Sequence, residues 1–202
     1  FMEFDRFIPE GAIFFIPAIM PGFDTRTEPM RSRFYSAHFC FTLGQFCKEI
    51  PHDPDYYFHG EEISIAVRAF THGYDLFHPH KNIAWHEYTR EGRDKHWDDH
   101  DVDSGSSYGW TSVNNACHFR NRTLFGMDET EKANLDFGMY GFGTERTLED
   151  YERYSGIKFD RRGVMEYTWP QLQEPPNPCY KTALGEYKTK EEWEKGFGRN
   201  WC

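Results

Sequence analysis

The chain has 202 residues, of which 38% are hydrophobic, 18% aromatic and 28% charged, a balance that supports a packed core and excludes a disordered chain. Its formal net charge of -10 excludes a general nucleic-acid surface, because phosphate backbones are held by clustered Lys and Arg. No apolar run reaches membrane-spanning length and no leader pattern is visible. The five cysteines form no C-x-x-C pair, so the expectation is reduced thiols in a cytoplasmic protein.

Residues 1–33 read as strands and loops. "GAIFFIPAI" (Gly11–Ile19) is an apolar run cut by Pro17, the pattern of a buried strand followed by a turn. The segment from Phe34 begins β-like and turns helical. "PHDPDYY" is a turn-rich loop in which Asp53 and Asp55 are expected to be solvated. In "FHGEEISIAVRAF", Ile63, Ala66, Val67 and Phe70 recur at helical spacing, which predicts an amphipathic helix with one buried stripe, ending at Gly73. "YDLFHP" and "NIAWHEY" read as two short strands around a turn at Pro79–Asn82. The polar stretch after Arg90 reads as a surface loop. "NNACHFRNRTLFG", "TLEDYERYSGIKFD" and "TKEEWEKGF" read as helices, the last two with threonine caps. A soft boundary falls near residue 104. Asn121-Arg-Thr123 matches a glycosylation sequon, a triplet common by chance.

Two patterns could carry chemistry. Glu61 and Glu62 open the predicted helix. One acid there is explained by the helix dipole; a second adjacent one repels it, so one carboxylate is expected to face a ligand and the other the protein. Among the histidines, His78 and His80 share a strand face and could ligate a metal together, but a solvated turn is the favoured reading. His86, inside an aromatic strand beside Trp85 and Tyr88, is either a satisfied core histidine or a metal or catalytic position. Asp101 and Asp103 give a D-x-D pair in a loop without the glycine and closing Glu of an EF-hand, and the favoured reading is a solvated loop.

Taken together, Ala37-His38-Phe39, His52-Asp53, Gly60-Glu61-Glu62, Arg68, and His86 with Tyr88 and Arg90 resemble, in order and spacing, the GlcNAc-transferase family of GT-A glycosyltransferases. The pattern is more remotely similar to that of the polypeptide GalNAc-transferases. The resemblance implies an α/β fold: the C-terminal, acceptor-side half of a GT-A domain over residues 1–104, and a mostly helical extension over 105–202. It implies a glycosyltransferase that moves a sugar, GlcNAc, from a UDP-sugar donor to a protein or glycan hydroxyl with retention of configuration. Glu61 and Glu62 would be catalytic. His38, Phe39, His59, Gly60, Trp85 and Arg90 would contact substrate, and His86 would bind Mn²⁺ or Mg²⁺. Arg68 would anchor its helix through a carboxylate. Only 35 residues precede Ser36, and they hold no D-x-D motif or nucleotide-binding βαβ unit. The expectation is therefore a chain whose nucleotide-binding half is absent. Two rival readings remain open: a carbohydrate-binding or interaction module, suggested by the aromatic surplus, and a metal-dependent hydrolase centred on the histidines.

Overall fold

The computed structural model describes residues 1–89, 91–95, 98, 109–127, 135–169, 173–175 and 186–197. The chain opens with an antiparallel pair, β1 (Met2–Phe7) and β2 (Ile13–Pro17), where the predicted apolar run lies; the run is a strand that includes Pro17, but it is buried only at Ile13 and open at Ile16 and Pro17. The register slips by one residue between Phe4 and Arg6, a bulge at Asp5 that frees its backbone from the ladder. Lys190 uses this: its ammonium donates to the Asp5 carbonyl (3.0 Å) and carboxylate (2.9 Å). Next come β3 (Met30–Arg31) and a short helix, α1 (Gly44–Glu49). The long helix α2 (Glu61–Thr71) follows, then β4 (Phe77–His78). Beyond it lie α3 (Trp110–Phe125), α4 (Leu148–Ser155), β5 (Ile157–Lys158), β6 (Gly163–Val164) and α5 (Lys190–Phe197). The described residues thus mix helices with three two-stranded antiparallel ladders, β1–β2, β3–β4 and β5–β6.

The helix ends follow local chemistry. Gly73 takes a positive φ of 92° after α2. Its N–H donates to Phe70 O and that of Tyr74 to Ala69 O, the paired closure that glycine permits at a helix end. Thr147 and Asp150 cap α4 reciprocally, and Thr189 and Glu192 do the same for α5.

The expectation of a single buried stripe on α2 is corrected. Every residue from Ile63 to Thr71 is buried, because other parts of the chain cover all its faces. Ile63, Ala66, Val67 and Phe70 join the main core with Phe4, Phe34, Phe125, Tyr151 and Phe159. Ile65 and Ala69 join a smaller cluster with Phe46 and Ile50. Phe70 stacks on Tyr154 (5.0 Å) and meets Tyr151 edge-on (5.4 Å), and Phe125 stacks on Phe159 at 4.1 Å; each such pair adds about 0.5–1.5 kcal/mol beyond its buried area. The Tyr151 and Tyr154 hydroxyls donate to Arg33 O and Ser32 O. The boundary expected at residue 104 lies outside the described residues, and side chains from both sides of it share the main core.

Long-range partners overturn several local readings. Arg68 is fully buried but meets no carboxylate among the described residues: its guanidinium donates to Pro51 O (2.8 Å) and Met139 O (3.3 Å). The nearby Asp53 is buried rather than solvated, and accepts from Arg120 Nε at 2.7 Å. Asn121 is 1% exposed, donating to Gly11 O and accepting from Tyr56, so the folded chain offers no glycan acceptor there. Arg68→Ala would remove the donor of two part-buried hydrogen bonds and leave a cavity where the fully buried side chain stood. Its stability should fall by about 3 kcal/mol or more, read from urea unfolding midpoints.

Candidate functional site

The chain enters α2 through Gly60, which is buried at φ 110°. A Cβ there would lie 2.9 Å from Asn121 Oδ1 and 3.0 Å from Tyr56 Cε1. Conformation and space both demand glycine, so this site residue sets where the helix begins.

Glu61 and Glu62 occupy the first turn and are only partly buried, facing a cleft of about 780 Å³. It is lined by Phe14 and Phe15 of β2, by Phe58, His59 and Gly60, and by Ala37, His38, His86 and Tyr88. The two carboxylates differ. Glu62 Oε1 accepts the Ala37 N–H at 2.8 Å. Burial raises its proton affinity, while that hydrogen bond and His38 oppose the rise. Glu61 is pushed up to about 7, first by burial and then by the Glu62 charge, against the pull of the N–H groups of residues 61 and 62. A carboxyl so tuned changes charge near neutrality.

His38 joins two regions. Its Nδ1 lies 3.0 Å from Ser36 Oγ, and its ring meets His86 edge-on at 4.5 Å and Tyr88 at 6.2 Å. His86 in turn lies 4.2 Å from Tyr88. These three residues also line a second cleft of about 520 Å³, together with Phe39, Lys81, Asn82, Ile83 and Trp85. The structure therefore brings Glu61, Glu62, Gly60, His59, His38 and His86 to one cleft, and Phe39 and Trp85 to the adjoining one. Arg90, Asp101 and Asp103 lie outside the described residues.

The strand readings around the histidines are corrected. β4 covers only Phe77–His78 and pairs with Met30–Arg31, not with residues 82–88, which carry no strand and are exposed throughout. Trp85 is 82% exposed. His86 is accordingly neither in a strand nor buried. His78, read as solvated, is instead buried, with Nε2 2.7 Å from Ser32 Oγ. Burial lowers its pKa to about 3 and keeps it neutral. An apolar, aromatic sequence looks the same on a strand and on a cleft rim; only the partner of β4 decides.

Among the described residues no group of three or more His, Cys, Asp or Glu is placed to hold a metal ion. Beside His86 stand an imidazole and a phenol, whereas Mn²⁺ and Mg²⁺ favour oxygen donors. The described residues do not by themselves form such a centre. Sequence reasoning missed Phe14 and Phe15 as a cleft wall and the Ala37 N–H as a partner of Glu62; both depend on pairing distant segments.

A carboxylate pair at a helix mouth, beside an aromatic and imidazole-lined wall, suits the handling of a sugar ring. The chain matches the family model described as glycosyltransferase (GlcNAc) over residues 1–161. It belongs to that GlcNAc glycosyltransferase family, whose general chemistry is sugar transfer. No curated protein and no solved structure matches it. No helix among the described residues is long and apolar enough to cross a membrane.

The state of Glu61 has a consequence for stability. Unfolded, its carboxyl titrates near the ordinary 4.5; folded, near 7. The proton is held more tightly in the fold, so this group's stabilising contribution is whole below about pH 4.5 and is lost as pH rises through about 7. Glu61→Gln mimics the protonated form. It should raise the melting temperature by several degrees at pH 8 and leave it nearly unchanged at pH 5, by calorimetry.

Proposed function

We propose that this chain carries the sugar-transfer site of a glycosyltransferase that moves GlcNAc from a UDP-sugar donor to a hydroxyl on a protein or glycan. Transfer retains the anomeric configuration, and Glu61 faces the reacting sugar. The observation that carries this reading is the Glu61 carboxyl, partly buried at the mouth of α2 and poised near neutrality in an open cleft of about 780 Å³. As a carboxylate it stabilises the positive charge that develops on a sugar ring at its transition state. Low dielectric strengthens that interaction, and the buried helix behind it removes the need to reorganise. A site of this kind acts on charge development rather than on ground-state binding.

The family match supports the reaction class; GlcNAc as the transferred sugar, the UDP donor and the retaining outcome follow the resemblance in the sequence. Metal dependence belongs to the same proposal. His86 is the described residue that would ligate Mn²⁺ or Mg²⁺. The oxygen donors that such an ion needs would come from the donor's own phosphates.

A second reading rests on the exposed aromatics. Trp85, Phe39 and Tyr88 rim the clefts with open faces, as a carbohydrate-binding module would present them. A binding module binds sugar without consuming a donor, so UDP release separates the two readings.

Glu61→Gln should lower kcat by about a hundredfold or more with KM for the donor little changed, in a UDP-release assay. The wild type should show kcat/KM rising with pH through an inflection near 7, where the Glu61 carboxyl ionises; this inflection should vanish in the variant. Wild-type turnover in Glu61→Gln would overturn the role. For the metal, His86→Ala should raise the Mn²⁺ concentration for half-maximal activity by about tenfold or more. An unchanged metal titration would remove His86 from the ligand set.

A further inference from the structure

We infer that Glu62 is a positioning residue: by pinning the 36–39 turn it holds in place the His38–His86–Tyr88 wall that the two clefts share. The effect on transfer rests on the reading above; the pinning itself does not.

The inference follows a chain of contacts. Glu62 Oε1 accepts the Ala37 N–H at 2.8 Å. This fixes the backbone of the residue immediately before His38. Ser36 Oγ lies 3.0 Å from His38 Nδ1 and steadies the ring from the same turn. The ring then meets His86 at 4.5 Å with an interplanar angle of 77°, and Tyr88 at 6.2 Å.

Two further observations give that chain its importance. Residues 82–89 are exposed throughout and carry no strand. Among the described residues, the ring contacts joining them to the rest of the chain, His86 and Tyr88, both run to His38. The wall is therefore held on the body side by the 36–39 turn. That turn is itself exposed at Ala37, His38 and Phe39, so little packing fixes it. Glu62, in contrast, stands on a helix buried at every residue from Ile63 to Thr71. A rigid carboxylate thus fixes a pliable turn, and the turn fixes a segment that Glu62 does not touch.

This separates the work of the two glutamates. Among the described residues Glu61 receives help from N–H groups of its own first turn, and it remains open to the cleft. Glu62 spends one oxygen on Ala37. The acceptor oxygen is what matters for that bond, and a glutamine amide oxygen supplies one too. A carboxylate acting by its charge on a sugar has no such substitute.

The test uses E62A, E62Q and H38A in the intact chain, with amide hydrogen exchange and steady-state kinetics. E62A should speed exchange of the Ala37 amide by about tenfold or more while amides in the middle of α2 stay protected. It should raise KM for donor or acceptor about fivefold or more, with a smaller change in kcat. E62Q should restore most of both losses. H38A should keep Ala37 protected yet show the raised KM, because the turn remains pinned and only the wall is lost; this variant decides the matter if E62A does not fold. Unchanged Ala37 exchange in E62A overturns the inference. So does an E62Q variant as inactive as E62A with Ala37 still protected, since the charge of Glu62 would then act on substrate directly. If the wild type transfers no sugar, the proposed function fails while the exchange data still decide the pinning.

Discussion

The burial of α2 on every side governs the rest of the structure. A helix with one apolar stripe can rock on its support; one covered from Ile63 to Thr71 cannot. Aromatic rings of α4 pack on one side and the Phe46–Ile50 cluster on another. The Arg68 guanidinium ties the helix to two distant carbonyls. At its C-terminal end Gly143 lets the chain press close: a Cβ there would lie 2.5 Å from Thr71 O. What this immobile rod presents to solvent is its first turn. The candidate site is thus a consequence of packing, with Glu61 and Glu62 at the open end of a closed element.

That placement sets up an electrostatic conflict. The helix dipole favours acids at the N-terminus by up to about 1 kcal/mol, yet burial opposes both charges and the Glu62 charge adds repulsion at Glu61, and opposition wins for both. The conflict is relieved unequally. Glu62 recovers part of its lost solvation from a backbone N–H across the cleft, while Glu61 keeps its proton to near neutrality. A carboxyl of this kind lowers stability as pH rises through its raised pKa.

The histidines show how tertiary partners reassign residues that look alike in sequence. His78 and His86 both sit in aromatic surroundings. β4 pairs with Met30–Arg31, and this carries His78 into the interior beside Ser32. The same pairing leaves residues 82–89 without a ladder, so His86 meets solvent, His38 and Tyr88 at the cleft rim.

The sequence by itself determined the local elements and their ends: the glycine closing α2, the threonine caps of α4 and α5, the β2 strand and the membership of a sugar-transfer family. These follow from interactions within a few residues, or from an ordered motif, and both are written along the chain. It also raised the expectation of one ligand-facing and one protein-facing carboxylate at the helix mouth without distinguishing them. Only the tertiary structure decided that Glu62 meets Ala37, that Arg68 takes carbonyls, that Asp53 pairs with Arg120 and that Asn121 is enclosed. Each of these depends on a partner far away in sequence. The sign of burial at such a position is fixed by what packs against it, and residue type and periodicity do not contain that information.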